Sequence, residues 1–219
     1  MAPEVDTVNM QATTTSRPYH HGRLRDALVD AGLDLARTDG PDAVVLRAVT
    51  RAAGVSHNAA YRHFADRDAL LRAVCERCMS RLAQLMDQRM EPVSDDDPVA
   101  AAWARLDAIG RAYVEFATTE PGWFRTAFAV PPAAPTLAPD EGTSEGGLGP
   151  YELLSAQLDE LVGVGAISPQ RRPGLEYAAW SAVHGLSTLL NDGPIRELPS
   201  AEREHALAVV LDVVHRGLS

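Results

Sequence analysis

The chain has 219 residues, 46% of them hydrophobic and 23% charged, with a net charge of −10. That is enough apolar content for a sizeable core, yet no run of about 18 apolar residues exists to cross a bilayer. Two cysteines are too few for a disulfide framework and no apolar N-terminal run of signal-peptide type is seen, so the expected compartment is a reducing cytoplasm.

The charge is unevenly placed. Residues 1–16 carry two acids and no base. Residues 17–67 carry eight Arg against six acids, a balance of +2, together with four of the seven His. Residues 68–219 carry twelve Arg against twenty-two acids, a balance of −10. A mildly basic head on an acidic body points to a nucleic-acid-binding head despite the overall sign.

In chain order, residues 1–16 lack periodicity and read as a disordered tail. Residues 17–23, RPYHHGR, read as a short basic arm. From Arg23, the stripe Leu24, Leu28, Ala31, Leu35 predicts a helix that stops at Gly40-Pro41. Leu46, Val49 and Ala53 mark a second short helix ended by Gly54. Ser56 is an N-cap for a third. Asp66 caps a long fourth reaching about Met90. After Pro92 and the acidic run at 95–97, Pro98 opens a helix to Thr119. A short aromatic segment follows at 121–129, and the proline- and glycine-rich stretch 130–149 reads as a loop. Three more helices are predicted over about 150–164, 173–191 and from Ser200 to the end. No alternating strand pattern or internal repeat is present. The expected fold class is all-α, with a tail over 1–16, a mildly basic head over 17–67 and a helical body over 68–219.

Two short helices joined at Gly54 form a helix-turn-helix arrangement. At about 100° per residue, His57, Asn58 and Tyr61 share one wedge of the third helix, with the small Ala59 and Ala60 opposite. A face of donors, acceptors and one ring suits the major groove, where base edges present complementary groups. Arg47 and Arg67 flank this helix, placed to hold phosphates on either side. A polar helical hairpin with no DNA role is the plainer reading of the same pattern.

Residues 18–74 also resemble the DNA-binding domain of the tetracycline-repressor (TetR) family of transcriptional regulators. The resemblance runs through Arg47, Gly54-Val55-Ser56, Tyr61, His63-Phe64, Arg67 and Leu70-Leu71. Downstream, Trp180, His184 and Gly185 resemble the Trp…His-Gly motif of one regulatory-domain subfamily. The resemblance implies an all-α homodimer that binds a palindromic double-stranded DNA operator and is released by a small-molecule effector in the body. It implies contacts from Arg47, Ser56, His57, Asn58, Tyr61, His63 and Arg67. Val45 departs from the family's usual Ser or Thr, a lost N-cap. Arg67 replaces the usual Lys and keeps the charge.

Trp103, Tyr113, Phe116, Trp123, Phe124, Phe128, Tyr151, Trp180 and His184 are candidates to line an effector pocket, for a small apolar or aromatic molecule. Aromatics and a lone His at helical spacing also suit plain core. The last two helices, about 174–191 and 200–217, predict a dimer interface: Ala178, Ala182 and Gly185 allow close approach, and the final helix is apolar nearly all round, which requires burial on two sides. Cys75 and Cys78 share a helix face. One such pair without further ligands is weak for zinc, and a redox-responsive or partner-responsive regulator without small-molecule ligand is the alternative. No cofactor or metal motif and no hydrolase, nucleotide or dinucleotide signature appears, so no enzymatic activity is expected.

Overall fold

Helix ends in this chain are set by prolines, glycines and capping side chains. The computed structural model describes residues 19–90, 96–130 and 147–219, and these form nine α-helices and one 3-10 turn, with no strand among them. The tail over 1–16, Arg17, Pro18 and most of the loop expected over 130–149 lie outside the described residues.

Helix α1 spans Tyr19–Asp39. It begins four residues before the expected Arg23, so residues 19–23 of the supposed arm are helical. Helix α1 ends where Gly40 adopts φ +76 and leads into the 3-10 turn Pro41–Ala43. Helix α2 (Leu46–Ala52) follows Val45, which provides no side-chain cap, as its apolar side chain dictates. Helix α3 (His57–Ala60) starts on Ser56, whose Oγ accepts from the Ala59 N–H at 3.3 Å. Helix α4 (Arg67–Met90) starts on Asp66, whose Oδ1 accepts from the Ala69 N–H at 2.8 Å.

Helix α5 spans Pro98–Thr119, with the Asp97 carboxylate accepting from the Val99 N–H and proline at the first position, where its missing N–H costs nothing. Helices α6 (Pro121–Ala127) and α7 (Pro150–Gly163) also open on proline. Helix α8 is Leu175–Asn191, starting two residues after the expected Pro173, because Gly174 takes the left-handed φ +81. Helix α9 is Ser200–Leu218. No described helix is long and apolar enough to cross a membrane.

Two core regions meet along α4. Its first half puts Leu70, Val74 and Cys78 among Leu28, Val49 and Phe64 of the head; its second half puts Leu82 and Met86 among Ile109, Phe116 and Leu186 of the body. Each such fully buried large side chain contributes about 1.5–3 kcal/mol of transfer free energy. Helix α4 begins at Arg67, so the expected division at 67/68 falls in its first turn.

Helix α6 completes the head core from the far side. A Cβ on Gly122 would lie 2.2 Å from the Arg37 carbonyl oxygen and 2.3 Å from that of Ala36, so α6 rests directly on the α1 backbone. Trp123 Nε1 donates to the Leu33 carbonyl at 2.8 Å, and Arg37 grips the Glu120 carboxylate with two hydrogen bonds of 2.7 and 2.6 Å. Trp123 and Phe128 pack against both cores.

Candidate nucleic-acid interface and effector site

The turn between α2 and α3 needs a left-handed residue. Gly54 supplies it at φ +67, where any L side chain would cost about 1–2 kcal/mol. The Val55 N–H then closes onto the Thr50 carbonyl at 3.0 Å. After Ser56, the chain is α-helical only through Ala60. Tyr61 to Phe64 continue the coil with mixed bonds: Arg62 N–H to Ala59 and His63 N–H to Ala60 three residues back, Phe64 N–H to Ala60 four back.

Ala60 and Phe64, four residues apart, are buried and anchor this segment to the head core. His57, Asn58 and Tyr61 project the other way, all exposed, with the Tyr61 ring edge-on to the imidazole of His57 at 4.9 Å. Tyr61 is 50% exposed, a large share for an aromatic side chain. Arg47 is exposed on α2, and a shallow hollow between it and His57 is lined by Thr50, Arg51 and Val55. Arg51 is a member that sequence reading missed; its position four residues after Arg47 on one helix face was the available signal. Ser56 is exposed and acts as a cap. His63 is half-buried.

Arg67 does something the sequence did not suggest. Its Nε donates to the Val44 carbonyl at 3.1 Å and its Nη2 to the Pro41 carbonyl at 3.0 Å, with the Asp42 carboxylate 3.8 Å away. The guanidinium ties the first turn of α4 to the segment that leads into α2, so a free phosphate-seeking cation is not what the geometry presents.

The nine body candidates do not form one cluster. Tyr113, Phe124, Phe128, Trp180 and His184 gather with ring centroids 4.8–6.5 Å apart, and Tyr151 meets Trp180 at 6.4 Å. Phe116 and Trp123 stack on each other at 6.4 Å toward α1. Trp103 stands apart, stacked on His215 of α9 at 3.9 Å. Ten residues separate Trp103 from Tyr113, about 15 Å along α5, so no single small pocket reaches both. A cleft of about 250 Å³ opens beside Trp103 between α5, α8 and α9, floored by Leu106, Val183 and Leu211, and takes in no other member of the nine.

Within the aromatic cluster runs a chain of hydrogen bonds. Trp180 Nε1 donates to Tyr113 Oη at 3.0 Å, and Tyr113 Oη lies 2.8 Å from His184 Nδ1. Burial holds the Tyr113 phenol protonated well above its ordinary range, and desolvation lowers the basicity of His184, so both are neutral near pH 7.

Residues 28–74 match the family described as bacterial regulatory proteins, tetR family, and residues 106–214 match the tetracyclin repressor-like C-terminal domain. The chain belongs to the TetR family of bacterial transcriptional regulators. No curated protein matches it. Among solved structures, a Rhodococcus sp. RHA1 protein of unknown function is 29% identical, with a TM-score of 0.64 over 93% of this chain and 99% of that one. A TetR-family transcriptional regulator from Pectobacterium atrosepticum is 21% identical, with a TM-score of 0.66 over 93% and 97%. A TetR variant from Acinetobacter baumannii AYE, in complex with minocycline, is 17% identical, with a TM-score of 0.57 over 88% and 94%. The last two likenesses concern the fold.

Within this TetR-family chain, Cys75 and Cys78 are both buried. The Cys75 thiol donates to the Thr126 carbonyl at 2.9 Å, tying α4 to α6. Desolvation raises the pKa of both thiols, that of Cys78 to about 12, so neither is a ready thiolate. Among the described residues no group of three or more potential metal ligands occurs.

Proposed function

We propose that the protein is a dimeric, operator-binding transcriptional regulator of the ligand-released type, acting most simply as a repressor. The observation that carries this reading is the exposed face of His57, Asn58 and Tyr61, held outward by the buried pair Ala60 and Phe64 on the second element of a helix-turn-helix. Asn58 offers the paired donor and acceptor that adenine takes, and Tyr61 and His57 can meet bases or phosphates. Arg47 and Arg51 supply backbone contacts that set register.

Dimerisation through α8 and α9 fits the surface these helices leave uncovered. On α8, Tyr177 is 60% and Leu189 43% exposed; on α9, Val209 is 47% and Val213 56% exposed. A Cβ on Gly185 would meet nothing within 4 Å, leaving room for another backbone to approach. Leu207 and Leu211 of α9 face the body, so the two-sided apolar pattern of this helix has a partner on one side only. A two-fold arrangement supplies the other.

The effector reading rests on the cluster around Tyr113, Trp180 and His184, and on minocycline binding by the Acinetobacter relative. Trp180, His184 and Gly185 carry the Trp…His-Gly pattern within that cluster's helix. Helix α6, packed on both cores through Trp123 and Phe128, offers a mechanical link from cluster to head. Burial of both thiols speaks against a redox trigger.

The test is fluorescence anisotropy of the purified protein on DNA from upstream of its own gene, against random DNA of equal length at about 0.15 M salt. Preference for the native DNA by about a thousandfold is expected. Equal, weak binding to both, with no site recovered from a genome-wide selection, would refute the reading.

A further inference from the structure

The hydrogen-bond chain in the aromatic cluster determines which nitrogen of His184 carries its proton. Indole Nε1 can only donate, so Tyr113 Oη accepts from Trp180. The phenol is 3% exposed, and its own proton needs an acceptor. The acceptor at 2.8 Å is His184 Nδ1. A neutral imidazole that accepts at Nδ1 carries its hydrogen at Nε2. Trp180 and His184 are one helical turn apart on α8 and Tyr113 reaches them from α5, so the orientation of the imidazole is held from two helices.

That Nε2–H has no partner among the described residues. Every buried side-chain nitrogen or oxygen among them does have one. Nε2 is therefore not fully buried, and His184 as a whole is half-buried. Around the imidazole stand half-buried rings: Phe128 at 4.8 Å between centroids, and Trp180 at 6.1 Å with Tyr151 beyond it. A lone oriented donor among aromatic faces recognises one kind of molecule: an aromatic or apolar frame bearing a hydrogen-bond acceptor.

We propose that His184 Nε2–H is the polar recognition point of the effector site, and that the effector class is a neutral aromatic compound with a carbonyl acceptor. Trp180 and Phe128 provide the apolar contact, and Tyr113 is a positioning residue that acts through His184. This rests on the reading of the body as an effector domain. It narrows the expectation of a small apolar or aromatic molecule, because a pure hydrocarbon would cover the donor without bonding it and bear its desolvation cost.

The experiment uses the 219-residue protein and two probes of matched shape, acetophenone and ethylbenzene, titrated by tryptophan fluorescence and calorimetry. Acetophenone is expected to bind about tenfold tighter, the worth of one hydrogen bond. His184→Phe, which keeps a ring and removes the donor, should abolish that preference. Tyr113→Phe releases the tautomer and should reduce it; this variant serves if His184→Phe does not fold. Long-range 1H–15N spectra of the imidazoles should show His184 protonated at Nε2 in the wild type. Equal affinities for the two probes, binding of neither at millimolar concentration, a preference that survives in His184→Phe, or an Nδ1–H tautomer would each overturn the proposal. The same preparations are assayed for operator binding. Retained DNA binding with no probe preference discards this inference alone, whereas absent DNA binding discards the regulator reading.

Discussion

Arg67→Ala should destabilise the head without altering how the protein responds to salt on DNA. The side chain makes two hydrogen bonds from a charged donor, to the carbonyls of Val44 and Pro41. Hydrogen bonds involving a charged group contribute about 1.5–3 kcal/mol each when well shielded. The Arg67 side chain is 41% exposed, so water competes for both ends and a total of about 1–2 kcal/mol per subunit is the reasonable expectation. For a chain of this length that lowers Tm by about 2–8 °C. Arg67→Lys keeps the charge but replaces a planar fork with a single ammonium, which can satisfy one carbonyl of the two; about half the loss should remain. Thermal denaturation gives the first quantity. The slope of log K against log salt for operator binding gives the second, and a clamp predicts an unchanged slope. If Arg67→Ala leaves Tm where it was and flattens the slope by about 0.9, while Arg67→Lys restores both, the side chain holds a phosphate and the clamp argument fails.

Tyr61→Ala removes a ring that is half in solvent and contributes little to the core, so helicity and dimerisation should persist while specific operator binding is lost; nanomolar binding by this variant would remove Tyr61 from the reading surface. Val213→Glu places a charge on the exposed face of α9, which costs little in a lone subunit and requires desolvation between two. Light scattering should then report monomers, and an unchanged dimer would move the interface elsewhere. The Cys78 thiol, pushed up to about 12 by burial, should resist iodoacetamide at pH 8 in the native state and react in denaturant. The sign follows from a folded-state pKa above the unfolded one: the neutral thiol's stabilising effect is full below the unfolded value and is lost as pH rises through it toward 12. Rapid native labelling would reopen the redox alternative.

Much of this architecture was legible in local sequence. Gly40, Gly54, Ser56, Asp66 and Pro98 each act within a few residues of themselves, through φ preference or a side-chain cap, whereas the helix opened by Pro121 was read only as a short aromatic segment. The outward face of His57, Asn58 and Tyr61 was readable for the same reason, since the small Ala59 and Ala60 mark the opposite side of one short coil, and the structure buries Ala60 together with Phe64. The start of α1 at Tyr19 was missed because polar residues at a helix start carry no apolar period.

Tertiary packing decided the rest. Nothing near Arg67 in the chain announces that the Pro41 and Val44 carbonyls lie within its reach, twenty-six and twenty-three residues away. Likewise, Trp103, Phe116, Trp123 and Tyr113 look alike as aromatic positions, yet they serve three different places, since position along α5 and the direction of each neighbouring helix determine which rings meet. The Trp180–Tyr113–His184 chain joins α8 to α5 across 67 and 71 residues. Sequence periodicity can say that a histidine faces inward, but only the groups brought around it by the fold determine which nitrogen holds the proton and what that nitrogen can bind.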